Sequence, residues 1–359
     1  MDLTNYIYLI YSVFIIGTGV FSFLINGLFL KFAGNLGIRN DKETVIRWSV
    51  QSKPSIGGIS FFIVFLLSIV THFIFFETEK EFLNLQFLGV LSAVTLAFLI
   101  GLADDAYNTN PFWKFTGQLT CGLILVFTGT IIHVFQSDFF NILLTVFWII
   151  AIMNSINMLD NMDGITTIVS IFIVLAALVI VAILQAFSSI YFTVLLGLFS
   201  ALVGFLFYNW NPSKMFMGDT GSQFLGCILA IFGIIFFWNF NGLTNQTSES
   251  RQIIIVSLAF LIPIIDTTTV VINRLLKKRS PFIGGKDHTT HHISYLGFSD
   301  KKVARIFIAL SLISLIFVFV IVNFIEAWDY IHFTLFSIYI FLIFSVLYII
   351  TRITKKEEI

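Results

Sequence analysis

Five short polar segments carry the residues of this chain that could do chemistry. They are Ser52-Lys53-Pro54-Ser55-Ile56-Gly57-Gly58, Asp104-Asp105, Asn157 to Gly164, Met217-Gly218-Asp219-Thr220-Gly221, and His288-Thr289-Thr290-His291-His292. Carboxylates supply the hard oxygen ligands that Mg²⁺ takes. Lysines and histidines supply donors to phosphate. Together they suggest a site for magnesium and a phosphate, at the end of an apolar bundle, and so an enzyme acting on a lipid phosphate.

Each segment also has a plainer reading. Asp104-Asp105 would pass alone as a solvated loop pair. It lies, however, at the predicted C-terminal end of a helix, where the dipole disfavours carboxylates, and Asp160 and Asp163 repeat the arrangement. A bound Mg²⁺ or a lysine would relieve the repulsion. Asn154, Asn157, Asp160 and Asp163 are spaced by three, which puts side chains on one helical face. Interhelical hydrogen bonding explains the first of these better than the aspartates. Gly218-Asp219-Thr220-Gly221 opens a predicted helix whose N-terminus favours anions, yet as a motif it could be a simple cap. Lys114, nine residues beyond Asp105, could reach the same site or merely snorkel to the interface. Lys53 could contact phosphate or serve topology. His288, His291 and His292 could hold Zn²⁺, but no cysteine cluster or His-Glu-x-x-His helix accompanies them, so donors to a sugar-linked pyrophosphate fit better. Asp266, deep in an apolar run, is a functional candidate by its depth, or else a partner for Arg274 or an amide.

The elements that must position these residues are membrane helices. The 359 residues are 58% hydrophobic and 11% charged, with 44 Phe, where soluble domains carry roughly 25% charged residues. Mean hydropathy is +0.97. Twenty basic and twenty acidic residues cancel, so net charge points to no partner and gives no sign of nucleic-acid binding. Cys121 and Cys227 sit in apolar runs and read as small core residues. The N-terminus lacks the basic n-region of a signal peptide, so the first apolar run reads as a retained span.

Runs of about 20 apolar residues lie near 6–30, 56–76, 83–102, 113–135, 139–158, 164–185, 188–208, 222–240, 252–276, 304–325 and 330–350. The expectation is one all-α integral membrane domain over residues 1–359, with about eleven spans. Placing the N-terminus outside gives the inner side eighteen of the twenty lysines and arginines, leaving only Lys80 and Arg251 outside. By the positive-inside rule the C-terminus and all five segments then face the cytoplasm. A secondary transporter is the rival class. Its polar groups would cluster at midplane in broken, repeated helices, whereas these acids sit at the boundary.

With the motifs in the order Pro-x-x-Gly-Gly, Asp-Asp, Asn-x-x-Asn-x-x-Asp-x-x-Asp-Gly, Phe-Met-Gly-Asp-x-Gly-Ser and a histidine loop, the chain resembles the polyprenyl-phosphate N-acetylhexosamine-1-phosphate transferase family, from Gly57 to His292. Eleven spans and Ile262 to Thr267 look more like its WecA and TagO branch than its ten-span MraY branch. The resemblance implies transfer of a sugar 1-phosphate from a UDP-sugar to undecaprenyl phosphate in the bacterial inner membrane, with Mg²⁺ or Mn²⁺, and leaves a homodimer open. It implies that Asp219 is a metal ligand and that Asp104 and Asp105 serve metal and acceptor phosphate. Asn157, Asp160 and Asp163 would lie near the nucleotide, Asn209 and Phe216 against uracil, and His288 and His291 at the ends of a His-x-His-His motif. Two departures stand out. Asn161 replaces the glycine of Asp-Gly-hydrophobic-Asp. Thr290 replaces a histidine, with His292 where Arg is common.

Overall fold

The computed structural model describes residues 7–33, 53–75, 84–241, 248–281 and 284–354. Arg39, Lys42, Arg47, Ser52, Lys80, Lys355 and Lys356, which entered the charge count or the first motif, lie outside them. Among the described residues the fold is all helical. Its elements are α1 (Ile7–Phe32), α2 (Gly57–Phe75), α3 (Leu85–Tyr107), α4 (Pro111–Phe127), α5 (Asp138–Leu159), α6 (Ile165–Ile183), α7 (Ile190–Asn209), α8 (Gly218–Phe232), which a π-helical segment (Gly233–Trp238) continues into one span, α9 (Glu249–Ala259), α10 (Leu261–Leu276), the short α11 (Thr289–Tyr295), α12 (Asp300–Phe324) and α13 (Tyr330–Ile353).

Apolar length makes these segments helical in lipid, since a helix satisfies its own backbone. Local caps set where several begin. Asn84 accepts from the Gln86 N–H, Asn110 from the Phe112 N–H ahead of Pro111, and Ser189 from the Tyr191 N–H. α8 is the hub: 94% of its span is buried, against 6% of α13, which faces outward. α8 packs on α3 and α5 and touches α2, while α1 lies along α7. The cysteines of α4 and α8 are free and buried, as the sequence suggests.

Among the described residues nine helices are long and apolar enough to cross a membrane, and the α9–α10 pair makes a tenth if counted as one span. Two differences from the predicted spans account for this. The run 113–135 is helical only to Phe127, giving a 17-residue α4. Gly129 takes φ +89°, and the apolar chain beyond it forms no regular structure up to α5. Its N–H groups are taken by side chains instead: Ile132 donates to Thr145 Oγ1, His133 to Asn239 Oδ1, and Val134 and Phe135 to Asn141 Oδ1. The run 252–276 breaks after Ala259 with an 81° bend. Pro263 has no N–H to give and its ring crowds the carbonyl four residues earlier, so the helix cannot run straight through.

Candidate active site

Glycines let three helix ends meet. Phe216 donates its N–H to the Pro54 carbonyl at 2.9 Å, and Gly57 and Gly58 donate to the carbonyls of Phe216 and Met217 at 3.1 and 2.9 Å. This pins the start of α2 to the start of α8. A Cβ on Gly58 would fall 2.1 Å from the Gly221 nitrogen, and one on Gly101 would fall 2.2 Å from the Asp219 carbonyl oxygen. Only glycine permits that approach, which sets the C-terminal end of α3 against the first turn of α8.

The structure divides the adjacent aspartates. Both lie in the last turn of α3 rather than in a loop. Asp105 accepts from the Asp219 N–H at 3.0 Å, the Thr220 N–H at 2.8 Å and the Thr220 hydroxyl at 2.6 Å. It therefore caps α8 from another helix, satisfying donors that a helix start leaves unpaired. Asp104 faces the other way. Its Oδ1 accepts from the Thr109 N–H and hydroxyl, and its Oδ2 from Lys114 Nζ at 2.9 Å.

Lys114 Nζ also donates to Asp219 Oδ1 at 3.2 Å and to Asn157 Oδ1 at 3.4 Å. Asn157 Nδ2 donates in turn to Asp219 Oδ1 and, at 2.8 Å, to the Ser222 hydroxyl. One ammonium is thus surrounded by oxygens from α3, α5 and α8. Below it, Gln118 bridges Asn154 and Gln223, so Asn154 serves the packing of helices.

The polar stripe on α5 is shorter than its spacing suggests. α5 ends at Leu159, Asp160 is the half-buried residue that follows, and Gly164 turns the chain with φ +78°. Asp163 leaves the helical face and accepts from the Ser213 N–H and hydroxyl at 2.9 and 2.7 Å and from Asn211 at 3.1 Å. Lys53 lies 3.6 Å from Asp163, donates to the Ser213 hydroxyl at 2.9 Å and sits 5.1 Å above the Phe216 ring. Asn209 is buried, accepting from the Thr167 hydroxyl at 2.7 Å and donating to the Met215 carbonyl at 3.0 Å.

The histidines form a second group. Asp266 accepts from the Thr289 N–H and hydroxyl at 2.8 and 2.7 Å and lies 2.8 Å from His288 Nδ1. Its partner is therefore the histidine segment, not Arg274, which forms a forked pair with Asp287 at 2.7 and 2.8 Å. A carboxylate only accepts, so His288 Nδ1 carries a proton. Thr290 donates to Asn161 at 2.7 Å, and His292 pairs with the Thr354 hydroxyl. Burial, helped by His288, pushes His291 down to about 3, and burial and Lys277 push His292 down to about 4. Both rings are neutral at ordinary pH. Burial would raise the Asp287 carboxyl, but the Arg274 hydrogen bond and charge outweigh it and hold it low.

The donor set around Lys114 suits a hard divalent cation. Asp104 and Asp219 also approach each other, so two carboxyl groups face one ammonium. Asp219 is the more accessible, with a side chain 34% exposed against 10% for Asp104. Among the described residues no three His, Cys, Asp or Glu side chains converge as a ready metal cage. An ion here would fill its shell from water and phosphate, as Mg²⁺ usually does. Thr109 and Ser213 were not singled out from the sequence. Isolated hydroxyls follow no spacing rule, and only contact across helices reveals them.

Residues 87–237 match the glycosyl transferase family 4 profile. The chain is 30% identical over 262 residues to a probable undecaprenyl-phosphate N-acetylglucosaminyl 1-phosphate transferase of Bacillus subtilis (strain 168), covering 69% of this chain and 67% of that protein. It is 29% identical over 285 residues to the phospho-N-acetylmuramoyl-pentapeptide-transferase of Staphylococcus aureus, covering 73% and 82%.

Proposed function

Since this chain belongs to the polyprenyl-phosphate N-acetylhexosamine-1-phosphate transferase family, we propose that it transfers an N-acetylhexosamine 1-phosphate, with GlcNAc-1-phosphate the first choice, from a UDP-sugar to undecaprenyl phosphate. UMP is the leaving product, and the lipid-linked sugar begins a cell-envelope glycan. The observation that carries this reading is the convergence of Asp104, Lys114, Asn157 and Asp219 at one end of the bundle. A phosphoryl transfer needs positioned charge more than covalent chemistry, and this cluster supplies both signs of charge.

In this reading Asp219 and Asp104 would hold Mg²⁺ or Mn²⁺, which would offset pyrophosphate charge. Lys114 turns from its carboxylates toward phosphate oxygens as these arrive. The acceptor phosphate has a second pKa near 6 and is already a nucleophile at pH 7. It attacks the sugar-bearing phosphorus in line, and the bond to the UMP oxygen breaks. Asp104 positions the acceptor and takes any residual proton, while Asp105 acts by holding the first turn of α8. Lys53 and Phe216 form one wall for the nucleotide, with Asp163 fixing Lys53 from behind. His288, which caps the helix tied to Asn161, and His291 in its first turn face the donor's sugar.

The proposal extends to topology. With α4 and the α9–α10 pair counted as crossings, the chain spans eleven times, N-terminus outside, and the site opens to the cytoplasm of a bacterial plasma membrane. The charge asymmetry of the sequence supports this. The test is purified protein with undecaprenyl phosphate and a panel of UDP-sugars, including UDP-GlcNAc and UDP-MurNAc-pentapeptide, scored by UMP release. UMP release from an N-acetylhexosamine donor supports the reading. Release from none of the panel would remove it.

A further inference from the structure

We propose that Asn161 and Thr290 form a positioning pair that sets where the histidine helix stands relative to the aspartate–lysine cluster, and so tunes recognition of the donor's sugar. The donor half of this proposal rests on the function proposed above.

The geometry is specific. Thr290 is fully buried, and its hydroxyl donates 2.7 Å to Asn161 Oδ1, joining segments 129 residues apart. The other end of the same amide donates to the Met158 carbonyl at 3.0 Å, and the Asn161 N–H donates to the Leu159 carbonyl at 2.8 Å. Asn161 therefore closes the last turn of α5 while gripping α11. That turn carries Asn157, which touches both Lys114 and Asp219. His291 adds a hydrogen bond with the Asn161 backbone. Asp266 on α10 and Thr354 after α13 also anchor α11, to other helices. The Asn161 link couples it to the end of α5.

Asn161 and Thr290 are also positions at which this chain departs from the family's motifs. The departures are chemically complementary. An amide at 161 brings an acceptor where glycine has none, and a hydroxyl at 290 brings a short donor that fits beside it. The backbone at Asn161 lies outside the left-handed region, so nothing there requires glycine.

The experiment uses the full-length protein as wild type, Thr290→Val, Thr290→Ser, Asn161→Ala and the Thr290→Val/Asn161→Ala double variant. Two readouts are taken. The first is backbone hydrogen exchange across residues 288–296, which needs no activity. Exchange should quicken in each single variant, no further in the double, and stay near wild type in Thr290→Ser. The second is KM for UDP-GlcNAc and for undecaprenyl phosphate. Donor KM should rise roughly three- to tenfold, the effect of one neutral hydrogen bond, with kcat and acceptor KM changing less. Effects of the two singles that multiply in the double, or a serine as damaging as valine, would overturn the pair. A parallel rise in both KM values would overturn its role in donor recognition. A wild type that releases UMP from no UDP-sugar would sink the transferase reading and the donor half together, while the exchange data still decide whether the two residues are coupled.

Discussion

Replacing Asp105 by asparagine separates a structural carboxylate from a chemical one. Asp105 accepts three hydrogen bonds from the first turn of α8, two at one oxygen and one at the other. Asparagine keeps one acceptor oxygen. If that oxygen faces Thr220, the bond from the Asp219 N–H is lost and an NH₂ group confronts it. A hydrogen bond to a charged group contributes about 1.5–3 kcal/mol, and a lost helix cap costs about 0.5–2 kcal/mol. Asp105→Asn should therefore destabilise by about 2–3 kcal/mol, seen as a fall of roughly 3–6 °C in a detergent melt. Asp219 rides on the turn being released. A displacement of about 1 Å at a reacting group can cost about 10²-fold in rate, so UMP release should fall by roughly ten- to a hundredfold. Asp104→Asn, which disturbs Thr109, Lys114 and the approach to Asp219 but no helix cap, should lower turnover with a smaller loss of stability. A fully stable Asp105→Asn protein with no turnover would refute the cap, because the charge would then act on the reaction itself.

Asp219→Asn should lower kcat by about 10²-fold or more without lowering the melting temperature; near-normal turnover at saturating Mg²⁺ would remove Asp219 from the ion. Gly101→Ala puts a Cβ 2.2 Å from the Asp219 carbonyl oxygen and should cost about 1–3 kcal/mol together with most of the activity, measured by melt and UMP release. His291 and His292 have folded values of about 3 and about 4, below the ordinary 6.5. Their contribution is thus complete above pH 6.5 and lost as pH falls toward 4 and 3, by up to roughly 1.4 kcal/mol per pH unit for each. Melting temperature against pH should fall over that window, and His292→Asn should flatten the fall.

Hydropathy made the helices legible because lipid leaves a chain of this composition few alternatives. The polar segments were legible because acids at helix ends are costly without a purpose. Direction along each segment was not. Asp104 and Asp105 are neighbours in sequence, yet one meets Lys114 and the other caps α8, since successive helical residues point about 100° apart. Asp163 shares a spacing with Asn157 but lies past the end of α5, where the lost helix frees it to meet Lys53. The break near Phe260 had its signal in Pro263, and the early end of α4 had one in Gly129; hydropathy alone outweighed both. Asp266 reads from its depth as a functional candidate, or else as a partner for Arg274 or an amide, whereas His288 and Thr289 reach it across a loop. Such pairings depend on how helices are arranged side by side, which one sequence does not encode in any local pattern.

The central claim is that this site moves a sugar phosphate directly onto a lipid phosphate. UDP-GlcNAc labelled with ³²P in its β-phosphate tests it, with product partitioned between lipid and water. The label should enter the lipid fraction, one for each UMP released, only when undecaprenyl phosphate and Mg²⁺ or Mn²⁺ are both present. Stoichiometric UMP release without lipid, leaving label on the protein and lost in Asp104→Ala or Asp105→Ala, would contradict direct transfer. Label that never enters lipid with any UDP-sugar, or full activity in chelator, would contradict the account as a whole.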